Sequence, residues 1–291
     1  MPKYNLADAN ELLALPEIER QFIASIVDSG ITPPEHLIAD GKIHRFSTTD
    51  RPSDDAGWYV LYADGFPAGA FGDWRTSTKE TWRADVGRSL SDAERQHLVQ
   101  REQAIQQVRE IDRDTRWKQA RDRAEKIWTK AETAPLDHPY LGEKSVKAHG
   151  LKANSSRLVV PLRIGQTLHS LQFIYATGDK RFLTGGRKKG CYHLIGEPGE
   201  VLCVAEGYAT AASIYEATGY AVAVAFDAGN LQPVGMELAN RYLGARLLFC
   251  ADDDQATEGN PGISKAINAA EATGGLIAVP SFPPGTPGTD F

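Results

Sequence analysis

Glu206 closes an apolar run, Val201-Leu202-Cys203-Val204-Ala205, and is followed by Gly207. Asp252, Asp253 and Asp254 close a second run, Arg246-Leu247-Leu248-Phe249-Cys250-Ala251. With Asp253 turned away, Asp252 and Asp254 can face one point, and Glu206 can join them if the two runs lie side by side. Carboxylates gathered at one place repel one another unless a cation sits between them. Hard oxygen donors with room for water suit Mg²⁺ or Mn²⁺. A single Asp at a strand end usually does no more than meet solvent. A Glu-Gly and an Asp-x-Asp at two matching ends argue for a metal. A second cluster is basic: Lys180, Arg181, Arg187, Lys188 and Lys189 stand among Gly185, Gly186 and Gly190, with Phe182 between them. Glycines let a backbone approach phosphate closely, and the cations supply attraction.

Apolar runs of this length without alternation read as strands buried on both faces. Two more such runs are Tyr220–Phe226 and Gly275–Val279, and helical patterns cover Tyr208–Thr218, Pro233–Leu243 and Gly262–Thr273. The β-α-β-α-β-α-β order implies a parallel sheet with right-handed crossovers. Ligands of such a sheet sit beyond the carboxyl ends of its strands, where Glu206 and the aspartates fall. Asp227 and Asn230 follow the second strand and can line the same site, although Asp227 is better suited to capping a turn.

Glu206-Gly207 after one strand, then Asp252-x-Asp254 after another with Gly262 and Ala266 on the next helix, resembles a TOPRIM domain over roughly residues 201–290. That is the metal-binding catalytic domain of bacterial-type primases, several topoisomerases and some nucleases. Upstream, Val159-Val160-Pro161-Leu162-Arg163, a hairpin, and Lys180-Arg181-Phe182-Leu183 extend the resemblance to about residue 135. Together they are similar to the catalytic core of primases from phage and plasmid replication proteins, where an α/β subdomain precedes the TOPRIM domain. The resemblance implies Asp252 and Asp254 as catalytic metal ligands, Glu206 as a catalytic ligand or general base, and Asp290 as a weaker ligand. Arg163, Lys180, Arg181, Arg187, Lys188 and Lys189 would hold triphosphate or template. One departure is plain: such primases carry a Cys/His zinc ribbon in front, and residues 1–190 here contain no Cys.

The rest of the chain must support this core. Residues 7–29 carry Leu12, Leu13, Ile18, Phe22, Ile23 and Ile26 on one helical face, stopped by Gly30 and Pro33-Pro34. Residues 41–83 concentrate aromatic rings, and Asp64-Gly65 signals a hairpin, so a small antiparallel module is expected. Most of its rings belong in a core, while Trp74 and Trp82 beside basic residues are candidates to stack single-stranded bases. Residues 91–132 lack Gly and Pro, are densely charged, and predict one long helix. The fold class is therefore α/β, mixed α+β overall: a TOPRIM-like parallel sheet with flanking helices behind a small α/β subdomain and an aromatic-rich β module. The expected segments are 1–90, 91–134, 135–199 and 200–291, the last cut short within a longer polypeptide.

A net charge of −6 and an isoelectric point near 5.7 exclude a bulk nucleic-acid coat, so binding must be local. Of the three cysteines, Cys203 and Cys250 fall inside expected strands and Cys191 lies outside them, a pattern unlike a disulfide framework or a Cys-based zinc site. No signal peptide or membrane span is recognisable, which predicts a cytoplasmic protein. No Gly-x-x-x-x-Gly-Lys-Ser/Thr loop occurs, so a helicase motor is expected, if anywhere, elsewhere on the polypeptide or on a partner. The expected function is synthesis of short RNA primers on single-stranded DNA from ribonucleoside triphosphates, with Mg²⁺ or Mn²⁺. A TOPRIM-type metal nuclease and a non-catalytic module binding DNA or a replication partner remain as alternatives.

Overall fold

The structure, a computed structural model, describes residues 13–49, 51, 54–253, 257, 260–281 and 291. The chain divides into two compact units, Met1–Thr115 and Arg116–Phe291.

In the first unit, α1 (Leu15–Asp28) buries Ile18, Phe22 and Ile26 along one face. Proline in its first turn costs no hydrogen bond, because the N–H groups there have no helical partner. The earlier start expected at residue 7, and Leu12, lie outside the described residues. Strands β1 (His44–Phe46), β2 (Gly57–Tyr62), β3 (Ala68–Asp73) and β4 (Thr78–Arg83) form an antiparallel sheet in sequence order. Gly65 makes the expected turn between β2 and β3 with φ +63°. Phe22 meets Tyr59, Phe71 and Trp82 with ring centroids 6.1, 5.6 and 5.1 Å away, so most of the aromatic rings are core. Trp82 is among them. It packs edge-on against Phe22 and is half-buried.

The charged stretch forms one helix, α2 (Asp92–Lys130). Its few apolar residues are placed where they count. Leu98 and Ile105 are buried in the first unit, and Ala120 and Ala124 in the second. Leu98 and Ile105 each contribute on the order of 1.5–3 kcal/mol and the alanines about 0.8, and the small alanine side chains let the helix pack closely.

In the second unit, β5 (Glu132–Thr133), β6 (Lys152–Asn154), β7 (Arg157–Ile164), β8 (Thr167–Tyr175) and β9 (Lys180–Phe182) form an antiparallel sheet in that order, with α3 (Pro139–Lys144) between β5 and β6. The basic cluster therefore begins as an edge strand, paired to β8 with Phe173 opposite Arg181. Next come β10 (His193–Ile195), β11 (Val201–Ala205), α4 (Tyr208–Thr218), β12 (Ala221–Val224), α5 (Leu231–Arg241), β13 (Arg246–Cys250), α6 (Pro261–Thr273) and β14 (Leu276–Ala278). Their sheet runs β10-β12-β11-β13-β14. All pairings are parallel except that of β10, a short antiparallel edge too brief to be read from sequence. Helix α5 starts at Leu231, ahead of Pro233, since a proline in the first turn is tolerated. The fold is thus mixed α/β. Leu202, Val204 and Phe249 are fully buried and fix the central strands from both sides. Among the described residues, no helix is long and apolar enough to cross a membrane.

Candidate functional site

Strands β11 and β13 are hydrogen-bonded neighbours, parallel, with Ala205 opposite Cys250. That register puts Glu206 level with Ala251, one residue before Asp252, at the carboxyl edge of the sheet. The β12 chain follows β11 past its end: Ala225 N donates to Ala205 O at 2.8 Å, and Phe226 N to Glu206 O at 2.7 Å. Phe226 adopts φ +74°, a left-handed conformation costly for a bulky residue, and it does so beside the Glu206 backbone. Gly207 then caps α4 in extended conformation.

Glu206 and Asp252 are half-buried, and Asp253 is buried. Asp253 Oδ1 accepts from Asn260 Nδ2 at 2.7 Å, while Asn260 Oδ1 caps α6 by accepting from Ile263 N at 3.5 Å. Asp253 and Asn260 thereby fasten the two ends of the segment that carries Asp254. Asn260 had a legible signal, an Asn directly before Pro261 at a helix start. Asp254 and Asp290 themselves lie outside the described residues. Among the described residues, no three His, Cys, Asp or Glu side chains converge on one metal-sized point. The two acids that are described form an all-oxygen donor pair on adjacent strand ends, which fits a hard divalent cation.

The cations divide between separate places. Lys180 Nζ lies 3.9 Å from where a Cβ on Gly207 would stand, so β9 brings it to the Glu206-Gly207 turn. It also sits 5.9 Å from the Tyr140 ring centroid. Lys188 Nζ pairs with Asp227 Oδ2 at 2.6 Å and lies 5.2 Å from the centre of the Phe182 ring. Phe182 in turn meets Phe226 edge-on at 6.1 Å. Lys180 and Lys188 are therefore both tied to the end of β11 or β12. Arg181 lies over Tyr175 at 5.6 Å. Arg187, over Trp117 at 5.2 Å, and Lys189 line a cleft of about 270 Å³ with Pro233, Met236 and Asn240. Arg163 lines another of about 270 Å³ with Trp128, His193 and Arg241, and donates to Gln166 O at 2.8 Å. Burial holds the Arg163 pKa below the ordinary arginine value.

Asn230 is 3% exposed and acts as a bracket. Its Oδ1 accepts from Gly190 N at 2.8 Å, and its Nδ2 donates to Ala225 O at 2.8 Å and Cys191 O at 3.1 Å. One side chain thus locks the end of the basic loop to the end of β12. The loop's glycines serve the backbone: Gly185 and Gly190 each have φ +75°, and a Cβ on Gly186 would overlap Ser170 Oγ. The three cysteines are buried free thiols, and burial pushes the Cys191 pKa up to about 12.

Residues 201–291, which carry this arrangement of acids, match the Toprim domain family. The chain is homologous to DNA primase TraC of Escherichia coli: it is 34% identical over 287 residues, 92% of this chain and 27% of that protein. A second Escherichia coli TraC is 32% identical over 266 residues, covering 86% of this chain and 18% of that one. The chain thus spans less than a third of the length of these relatives. Among solved structures, a DnaG primase catalytic domain bound to single-stranded DNA overlaps with a TM-score of 0.40 at 13% identity, over 60% of this chain and 74% of that one. A primase from Aquifex aeolicus, with its zinc-binding and RNA polymerase domains, overlaps with a TM-score of 0.37 at 15% identity, over 93% of this chain and 79% of that one.

Proposed function

We propose that this chain carries a DNA primase core that joins ribonucleotides on a single-stranded DNA template. The observation that carries this reading is the meeting of opposite charges at one sheet edge. Glu206 and Asp252 end neighbouring parallel strands, and Lys180 lies against the Glu206-Gly207 turn. In the proposed reaction a 3′-hydroxyl attacks the α-phosphate of a nucleoside triphosphate and pyrophosphate leaves. Lys180 and Lys188 bind and orient the triphosphate, and Arg181, at the same edge strand, draws in phosphate. Glu206 accepts the hydroxyl proton or shares in ligation. A divalent cation, Mg²⁺ or Mn²⁺, supplies charge neutralisation at the phosphate oxygens when bound. Glu206 and Asp252, joined by Asp254 and Asp290, would hold it. Lys188 has to leave Asp227 to reach a phosphate, a small cost for a partly exposed pair. Arg163, Arg187 and Lys189 fall to template binding in their two separate clefts, and Asp227 and Asn230 to holding the basic loop. We assign segments 1–90, 91–134, 135–199 and 200–291 the roles of front module, helical connector, primase subdomain and Toprim domain, in a cytoplasmic setting with a replicative helicase as partner.

The test is incubation with single-stranded DNA, labelled ribonucleoside triphosphates and Mg²⁺. New labelled oligonucleotides that need template are expected. Shortened DNA without incorporation would mean a nuclease, and no change in either would mean a binding module.

A further inference from the structure

The first unit holds a cleft of its own. It has a volume of about 180 Å³ and is lined by Trp74, Lys79, Gln106, Arg109, Glu110 and Arg113. Lys79, Arg109 and Arg113 stand there with Glu110, and Arg113 is paired with Asp114 at 3.0 Å. Arg109 is the distinctive member. Its guanidinium is set against two rings, 4.3 Å from the Trp58 centroid and 5.4 Å from that of Trp74. Those rings are themselves 5.7 Å apart, so the cation rests against two neighbouring rings. Its Nε is buried without a hydrogen-bond partner, and so is the indole Nε1 of Trp74.

Other arginines of this unit are compensated. Arg45 pairs with Asp112, Arg75 with Asp54, Arg88 with Glu94 at 2.7 Å, and Arg101 with Asp64 at 2.5 Å. Arg109 has no ion pair among the described residues. Burial, and next the like charge of Arg113, hold its pKa below the ordinary arginine value. A half-buried cation beside a second cation, without an ion pair of its own, gains when an anion enters. An idle N–H donor at the same spot adds a direction to that anion. The aromatic and cationic lining is the kind that tracks a single nucleic-acid strand.

We propose that this cleft binds a backbone phosphate of single-stranded DNA, a contact made by residues 1–115 in addition to those of the Toprim-bearing unit. That the phosphate belongs to DNA rests on the function proposed above. The contact is independent of divalent cation and of nucleotide.

The test uses the full chain and a fluorescein-labelled oligodeoxythymidylate, in EDTA and without nucleotide, with affinity followed against salt. Lys79→Gln and Arg109→Gln are each expected to weaken binding several-fold and to lower the salt slope by about 0.7 per lost contact. Trp74→Phe keeps a ring and removes the N–H; it should weaken binding with little change in slope. Lys79 is exposed, so its variant guards against a folding artefact in Arg109→Gln. Wild-type affinity and slope in both Lys79→Gln and Trp74→Phe would overturn the inference. So would displacement of the oligonucleotide by millimolar inorganic phosphate or ATP with equal loss in wild type and all variants, which would mark a free-anion site. Primer synthesis is assayed separately with the same proteins. Altered slopes without any primer synthesis would keep the cleft and remove the primase reading, and primer synthesis with unaltered slopes would do the reverse.

Discussion

Residues at the sheet edge carry the account, and their roles separate by what each one touches. Asp252→Asn keeps shape and removes charge from a carboxylate pair. It should abolish primer synthesis while leaving metal-free melting unchanged or slightly raised, since repulsion with Glu206 is relieved. Thermal melting in EDTA beside an incorporation assay checks both halves. Asp227 holds Lys188 at 2.6 Å, so Asp227→Asn frees the lysine. A pair that is part-exposed is worth at most about 1 kcal/mol, so nucleotide affinity should rise no more than about fivefold. A fall in affinity would mean that Asp227 itself serves the site. Asn230→Ala has a different signature. It strands Gly190 N and two buried carbonyls, and should cost about 2–4 kcal/mol of stability, read by denaturant unfolding. Much of this was legible. Glu206, Asp252, the lysines and even Asn230 were marked by type and spacing. The bracket made by Asn230 and the left-handed Phe226 were not, because both depend on chain ends far apart in sequence that meet only in the fold. The loop glycines were legible as special, and the fold adds tight turns and contact with Ser170 to what they permit.

Elements placed these residues by ordinary periodicity. Continuous apolar runs gave β11, β12 and β13, and the helices between them fell within a few residues of expectation. Short edges were hidden, since three residues of β9 or β10 carry no period to read. β10 has a consequence of its own. His193 on it is buried, and its Nε2 meets His149 O at 2.8 Å. Burial lowers its pKa to about 4, from an unfolded value near 6.5. The folded state keeps His193 neutral while the unfolded chain takes up a proton. Stability is therefore full above about pH 6.5 and is lost progressively as pH falls toward 4, by on the order of 3 kcal/mol. His169, also lowered by burial, adds in the same direction. Unfolding by denaturant at pH 7 and pH 5 should show this loss, and His193→Leu should flatten it whatever its effect on absolute stability. An equal pH slope in wild type and variant would remove His193 as the cause.

At the scale of the whole molecule, the two units have separate cores, and α2 lends buried residues to each. The sequence marked the change of character between an aromatic front and an α/β back and one long helix between them; its few apolar positions include Leu98, Ile105, Ala120 and Ala124, which are buried. Residues 116–291 expressed alone should melt as one cooperative transition and keep divalent-cation binding, because every described acid of the sheet edge belongs to that unit. Binding of Mn²⁺ is the measurement that reaches the central claim most directly: that Glu206 and Asp252, on the ends of neighbouring strands, hold a catalytic cation. The loss of the free Mn²⁺ electron paramagnetic signal, titrated against wild type, Glu206→Gln and Asp252→Asn, reads it without relying on activity. Saturable binding in wild type and at least tenfold weaker binding in Asp252→Asn, at unchanged melting temperature, is the expected result. Equal binding by all three proteins would contradict it.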